Sequence, residues 1–174
     1  MVLGCVRQLL VTRMVAPSVF IGTMLAHLAS DKDLRTMVRA APSRIPAAAE
    51  EYLRLYTPYR GMSRTPTRDV VIGGRLIRKD EPPALVYTSA NRDERVFPDG
   101  ENFVLDRPNL REAIQFGAGI HACPGAPLAR MMLVLTLEEL LAATTNFSVA
   151  GEILTARWAE WGTRSVPLAF TGRE

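Results

Sequence analysis

The chemistry-bearing residues of this 174-residue chain are few, and most of them share one stretch. It reads Phe116-Gly117-Ala118-Gly119-Ile120-His121-Ala122-Cys123-Pro124-Gly125-Ala126-Pro127-Leu128-Ala129-Arg130. Cys123 stands immediately before a strongly helical run. A thiol there meets the positive end of a helix dipole and unpaired backbone N–H groups, and both favour the thiolate, the form that binds metal. Gly117, Gly119 and Gly125 remove side chains around the sulfur, so backbone amides and a broad, flat ligand can approach. Phe116 offers an apolar shield. The residues alone leave two readings open: a metal ligand, or an inert buried thiol at a glycine-rich helix start. With Cys5, His27 and His121 as the only other soft donors, a four-ligand zinc site is disfavoured. A second pair, Glu51-x-x-Arg54, faces one side of a helix; by itself it reads as a surface pair worth about 0.2–0.5 kcal/mol.

The elements that must hold these residues follow from periodicity. Apolar positions between Val6 and Leu28 predict one long, mostly buried helix kinked at Pro17. Arg7 and Arg13 before the uncharged stretch Met14–Ser30 resemble a secretory signal, but Pro17, Ser18, Thr23 and His27 interrupt it, and it is shorter than the ~20 residues of a membrane span. Ser30-Asp31-Lys32-Asp33 supplies a cap for a short second helix, and Pro46 suits the first turn of a third, over 47–56. Asp69–Ile72, Gly73-Gly74 and Arg75–Arg78 read as a two-residue β-hairpin. Residues 84–89 fit a strand or a short helix. Prolines, glycine, asparagines and charges over 97–115 predict a long ordered loop. Residues 126–143 form a strong helix pattern, with Leu128, Met132 and Leu135 among the expected buried stripe. Residues 165–170 alternate as a terminal strand, with Pro167 marking an edge or a bulge.

Composition bounds the class. Apolar residues make up 48% and charged residues 22%, a globular balance for one domain or part of one. The net charge of +3 is spread without basic blocks, so nucleic-acid binding gets no support. Lys32 and Lys79 are the only lysines; the other basic residues are arginine, the better fork for carboxylates and acidic cofactor groups. Two cysteines are too few for a disulfide framework, which indicates a reduced, cytoplasmic protein.

The segment from Phe116 to Arg130 resembles the haem-binding signature of the cytochrome P-450 family, Phe-Gly-x-Gly-x-His-x-Cys-x-Gly-x-x-Leu-Ala-Arg, at every specified position. The resemblance implies a mainly α fold with small β-sheets, and haem b (iron protoporphyrin IX) carried on the Cys123 thiolate. That family's thiolate ligand pushes electron density toward oxygen–oxygen cleavage. Phe116, Gly117, His121 and Gly125 are then cofactor-binding positions, His121 toward a haem propionate, with Arg64 as a second propionate partner. Glu51-x-x-Arg54 becomes a buried structural pair joined by an arginine that looks like Arg107.

By the same resemblance the activity is monooxygenation of a small organic substrate, with electrons from a donor protein such as a ferredoxin and its reductase, and with no nucleic acid or membrane as partner. The resemblance begins inside the long helix that crosses the distal haem face. Residues 1–174 are therefore expected to be a partial domain whose amino-terminal half lies outside the chain. Alternatives are a truncated, non-enzymatic remnant or haem-binding module. Typical members also place an acid followed by threonine in that helix to relay protons. Here Val15 and Ala16 hold the two positions, Thr12 and Ser18 are the nearest hydroxyls, and no acid occurs before Ser30. A haem-thiolate enzyme that uses peroxide or nitric oxide is the remaining alternative.

Overall fold

A computed structural model describes residues 2–156 and 160–172. Helix α1 (Val2–Ser30) is followed by α2 (Lys32–Ala40), whose first turn is capped by the Asp31 carboxylate accepting the Leu34 N–H at 2.9 Å. A 3-10 turn leads into α3 (Ile45–Leu55), with Pro46 in the first turn. Four short strands and one helical turn follow: β1 (Met62–Ser63), β2 (Val70–Ile72), β3 (Arg75–Ile77), β4 (Ala84–Leu85) and α4 (Tyr87–Ala90). Residues 84–90 are thus strand and then helix. The β2–β3 hairpin turns on Gly73 and Gly74, both at positive φ, which suits the two-residue turn expected there. After the long loop come α5 (Ala126–Ala143) and β5 (Thr144–Val149), β6 (Leu154–Thr155), β7 (Thr163–Ser165) and β8 (Leu168–Gly172). The sheets are antiparallel pairs, β1–β4, β2–β3, β5–β8 and β6–β7.

The core joins Phe20, Met24 and Leu28 of α1 to Leu34 and Val38 of α2, Ala48 and Tyr52 of α3, and Leu133, Leu137 and Leu141 of α5. Each fully buried leucine contributes about 1.5–3 kcal/mol. Several expectations need correction. Helix α1 is buried only over its last third: Val2 through Val15 are exposed, because nothing among the described residues packs against that end. The helix continues through Pro17. At 29 residues it is also long and apolar enough to cross a bilayer, so the length argument against a span fails; its other end is in the core.

The buried ridge of α5 is Ala126, Leu133, Leu137 and Leu141, whereas Leu128 and Met132 are half-buried and Leu135 is exposed. The helix is apolar nearly all round, and neighbouring elements choose its buried side. Finally, the terminal strand is two strands. Pro167 lies between β7 and β8, donating nothing while its carbonyl accepts the Ala150 N–H at 2.9 Å.

A buried arginine fastens the end of α1 to the last sheet. Arg35 donates to the carbonyls of Leu28 and Ala29, to the Phe147 carbonyl and to Asn146 Oδ1. Its guanidinium thereby caps the negative end of α1.

Candidate functional site

Helix α3 carries the polar centre of the fold. Glu51 and Arg54 lie one turn apart with fully buried side chains. Arg54 Nε and Nη2 each donate to the Glu51 carboxylate at 2.8 Å, and Arg107 Nε adds a third link at 3.0 Å. The carboxylate also accepts the Val104 N–H at 3.0 Å. One anion cannot balance two cations, and main-chain dipoles supply the rest. Arg54 donates to the carbonyls of Asn91, Gly100 and Asn102, and Arg107 to those of Pro98, Asp99 and Asn102. The loop is therefore wound around α3 by its own carbonyls, as its proline- and asparagine-rich sequence allows. Arg107 is the third partner that the sequence reading assigned.

From this centre a hydrogen-bonded path leads to the cysteine. Asn91 is fully buried. Its amide donates to Thr57 Oγ1 at 2.9 Å, and its side-chain oxygen accepts the Ile114 N–H at 2.8 Å. Gly117 N–H then donates to Ile114 O, and Cys123 N–H to Phe116 O, both at 2.8 Å. Positive φ at Gly117 (71°) and Gly119 (67°) turns the chain so that Cys123 arrives at the start of α5.

At that position Cys123 is exposed rather than buried. A Cβ on Gly125 would lie 3.7 Å from the sulfur, one on Gly117 would touch Tyr87, and one on Gly119 would meet open space. Ile120 is 97% exposed, an apolar side chain held out at the rim. His121 and Arg64 are exposed and have no carboxylate partner among the described residues; Arg64 donates only to its neighbour Ser63 O. The structure brings Phe116 and Gly125 to Cys123, while among the described residues His121 and Arg64 form no hydrogen bond or ion pair with them.

Residues outside the signature also belong to this region. The Tyr59 phenol is pushed up by burial, with the negative charges of Glu160 and Cys123 adding to the effect. Tyr59 also pairs with Glu160 as an isolated bridge. Gln115 Oε1 is buried with no hydrogen-bond partner among the described residues. On α1, Thr12 and Ser18 donate their hydroxyls to Gln8 O at 2.8 Å and Met14 O at 2.5 Å, so both serve their own helix.

This donor set fits haem. Among the described residues no three His, Cys, Asp or Glu side chains converge as a cage for a bare ion. Cys123 supplies one exposed thiol on ground cleared by glycine, which suits a planar macrocycle that brings its own equatorial ligands. Fold and site together define a helical protein that presents a single exposed cysteine from a loop locked by a buried Glu–Arg network.

The comparisons agree. Residues 45–151 match the family described as Cytochrome P450. The chain is similar to cytochrome P450-SU2 of Streptomyces griseolus, 37% identical over 148 residues, covering 82% of this chain and 36% of that protein. It is similar to a steroid C26-monooxygenase of Mycolicibacterium smegmatis, 39% identical and covering 73% and 32% respectively. Among solved structures it resembles cytochrome P450-153 from Novosphingobium aromaticivorans, with a TM-score of 0.85 at 35% identity, covering 90% of this chain and 40% of that one. The chain belongs to the cytochrome P450 family and has a portion of its fold. It spans about a third of the length of the curated relatives it matches.

Proposed function

We propose that residues 1–174 are the carboxy-terminal part of a cytoplasmic haem-thiolate monooxygenase domain. It would oxidise a small organic substrate with electrons from a ferredoxin-type donor. The observation that carries this reading is the exposed Cys123 thiol at the start of α5, its N–H fixed on Phe116 O at 2.8 Å and its surroundings cleared by glycine. Haem b, when bound, supplies the redox chemistry that places one atom of dioxygen in the substrate and releases the other as water.

The chain's own residues hold and orient. Cys123 would hold the haem iron through its thiolate, Phe116 would shield the sulfur, Gly117 and Gly125 would give the macrocycle room, and His121 with Arg64 would pair with the propionates. The Glu51–Arg54–Arg107 centre fixes the loop that presents the ligand. Free thiols at Cys5 and Cys123 suit a reducing compartment.

Val15 and Ala16 hold no titratable proton, and the hydroxyls of Thr12 and Ser18 are committed to backbone carbonyls. That favours a second reading in which peroxide, carrying its own protons and electrons, or nitric oxide replaces dioxygen. Carbon monoxide difference spectra of reduced, haem-loaded protein test the assignment. The red-shifted thiolate band should survive Cys5→Ala and vanish in Cys123→Ala; the opposite pattern ends it. Turnover with peroxide against turnover with reductant separates the two readings.

A further inference from the structure

Glu50 and Glu51 are neighbours on α3, yet their carboxylates serve different partners. Glu51 is fully buried among Arg54 and Arg107, whereas Glu50 meets Arg130 in the second turn of α5. Arg130 Nε donates to Glu50 Oε1 at 2.5 Å and Nη2 to Oε2 at 3.3 Å, so both carboxylate oxygens engage the guanidinium fork. The same guanidinium lies 4.8 Å from the centroid of the Phe116 ring. The Phe116 carbonyl in turn accepts the Cys123 N–H at 2.8 Å. Four residues from two helices and one loop thus form an unbroken path ending at the ligand's own backbone.

We propose that Glu50 and Arg130 are positioning residues for Cys123, acting by clamping the Phe116 ring. The pair's side chains are 43% and 29% exposed for Arg130 and Glu50, so it adds little to global stability. What it does is orient. The fork holds the guanidinium at one angle against the ring. Gly117, at positive φ, turns the chain directly after Phe116 toward Cys123. Lysine keeps the charge but not the planar fork, so Arg130→Lys separates orientation from charge. The functional sense of the clamp rests on Cys123 being the haem ligand; its existence does not.

The test is amide hydrogen exchange at Cys123 in the chain itself, with all variants in a Cys5→Ser background. Arg130→Lys and Glu50→Gln should each accelerate Cys123 exchange about tenfold, the scale of losing one fixed cation–ring contact. The double variant should match either single one, since both break the same path. Exchange of Leu133, Leu137 and Leu141 on α5 should stay at the parent's level. In haem-loaded protein both variants should keep the carbon monoxide thiolate band but shift its position. Unchanged Cys123 exchange, additive effects, or equal acceleration along α5 each overturn the clamp. Loss of the thiolate assignment through Cys123→Ala is a separate result and leaves the exchange test standing.

Discussion

Replacing Glu51 by alanine removes the acceptor of four donors: Arg54 Nε, Arg54 Nη2, Arg107 Nε and the Val104 N–H. Charge-assisted bonds contribute about 1.5–3 kcal/mol apiece, and a simple sum for four donors would exceed the stability of many domains. The sum overstates the loss, because both guanidinium groups keep their bonds to carbonyls between Asn91 and Asn102. What remains is two buried cations without an anion, the situation in which breaking a buried pair costs about 3–5 kcal/mol. With a urea dependence of about 2 kcal/mol per molar for a chain of this size, the midpoint should fall by roughly 2 M. Arg107→Ala should cost less, since it leaves Glu51 paired with Arg54 at 2.8 Å. Urea unfolding followed by circular dichroism ranks the two variants. If Glu51→Ala loses less than about 1 kcal/mol, or less than Arg107→Ala, the buried-anion argument is wrong.

Asn91→Ala should destabilise by about 1–3 kcal/mol, because it leaves the Ile114 N–H without its acceptor and takes a donor from Thr57 Oγ1, and the loss should appear as faster hydrogen exchange at Gly117 and Cys123. Burial of His27 and Tyr52, whose Nδ1 and phenol oxygen lie 3.0 Å apart, makes stability fall at both ends of the pH scale. Burial lowers the His27 pKa, with Asp31 opposing, so the unfolded chain takes up the proton first and stability drops as pH falls below about 6.5. Burial raises the Tyr52 pKa, so the unfolded chain loses its proton first and stability drops above about pH 10. His27→Phe should flatten the acid limb in a pH series of thermal melts, and an unchanged limb would exclude His27 as its cause. On the proposed monooxygenase reading, Val15→Asp with Ala16→Thr should raise product formed per reductant consumed, since a positioned proton donor contributes ~10²–10⁴-fold; a fall would place the relay at Ser18, Thr12 or the substrate.

Features carried by local chemistry were legible in the sequence. The Asp31 cap, Pro46 in the first turn of α3, the Gly73-Gly74 turn and both ends of α5 depend on residues a few positions apart, and each stands where its sequence put it. Burial on α1 and α5 was not legible. Both helices are apolar on nearly every side, so periodicity carries no direction, and the ridge of Leu133, Leu137 and Leu141 is selected by contact with α3 and α1. Cys123 stood out through its helix start and glycines, but Glu51, Arg54 and Arg107 were assembled only through the family resemblance. Asn91, Tyr59 and Glu50 carried no local signal at all, and Arg130, although it ends the signature segment, carried none for its pairing with Glu50. Each acts through contacts across a long stretch of chain, and a single polar residue has no period to betray it.

The placement of those contacts explains why one short helix governs the site. Helix α3 is 11 residues long, and its buried face alternates core side chains such as Ala48, Tyr52 and Leu55 with the Glu51–Arg54 pair. Burying such a pair in an apolar core is costly unless every donor is met. Here the donors are met by carbonyls of an irregular loop, which would itself lack partners if left to pack on apolar surface. Each cost cancels the other: the loop satisfies the cations, and the cations give the loop one shape. A rigid loop is what the glycine-rich segment around Cys123 needs, because Gly117 and Gly119 impose no shape of their own. The cysteine is therefore positioned from outside its own segment, by α3 through Asn91 and, on the proposal above, through Glu50 and Arg130. An apolar isostere set at Glu51 and Arg54 could preserve the helix core, but it would free the loop. Such a double variant should keep α3 while its Cys123 amide exchanges like an unstructured one.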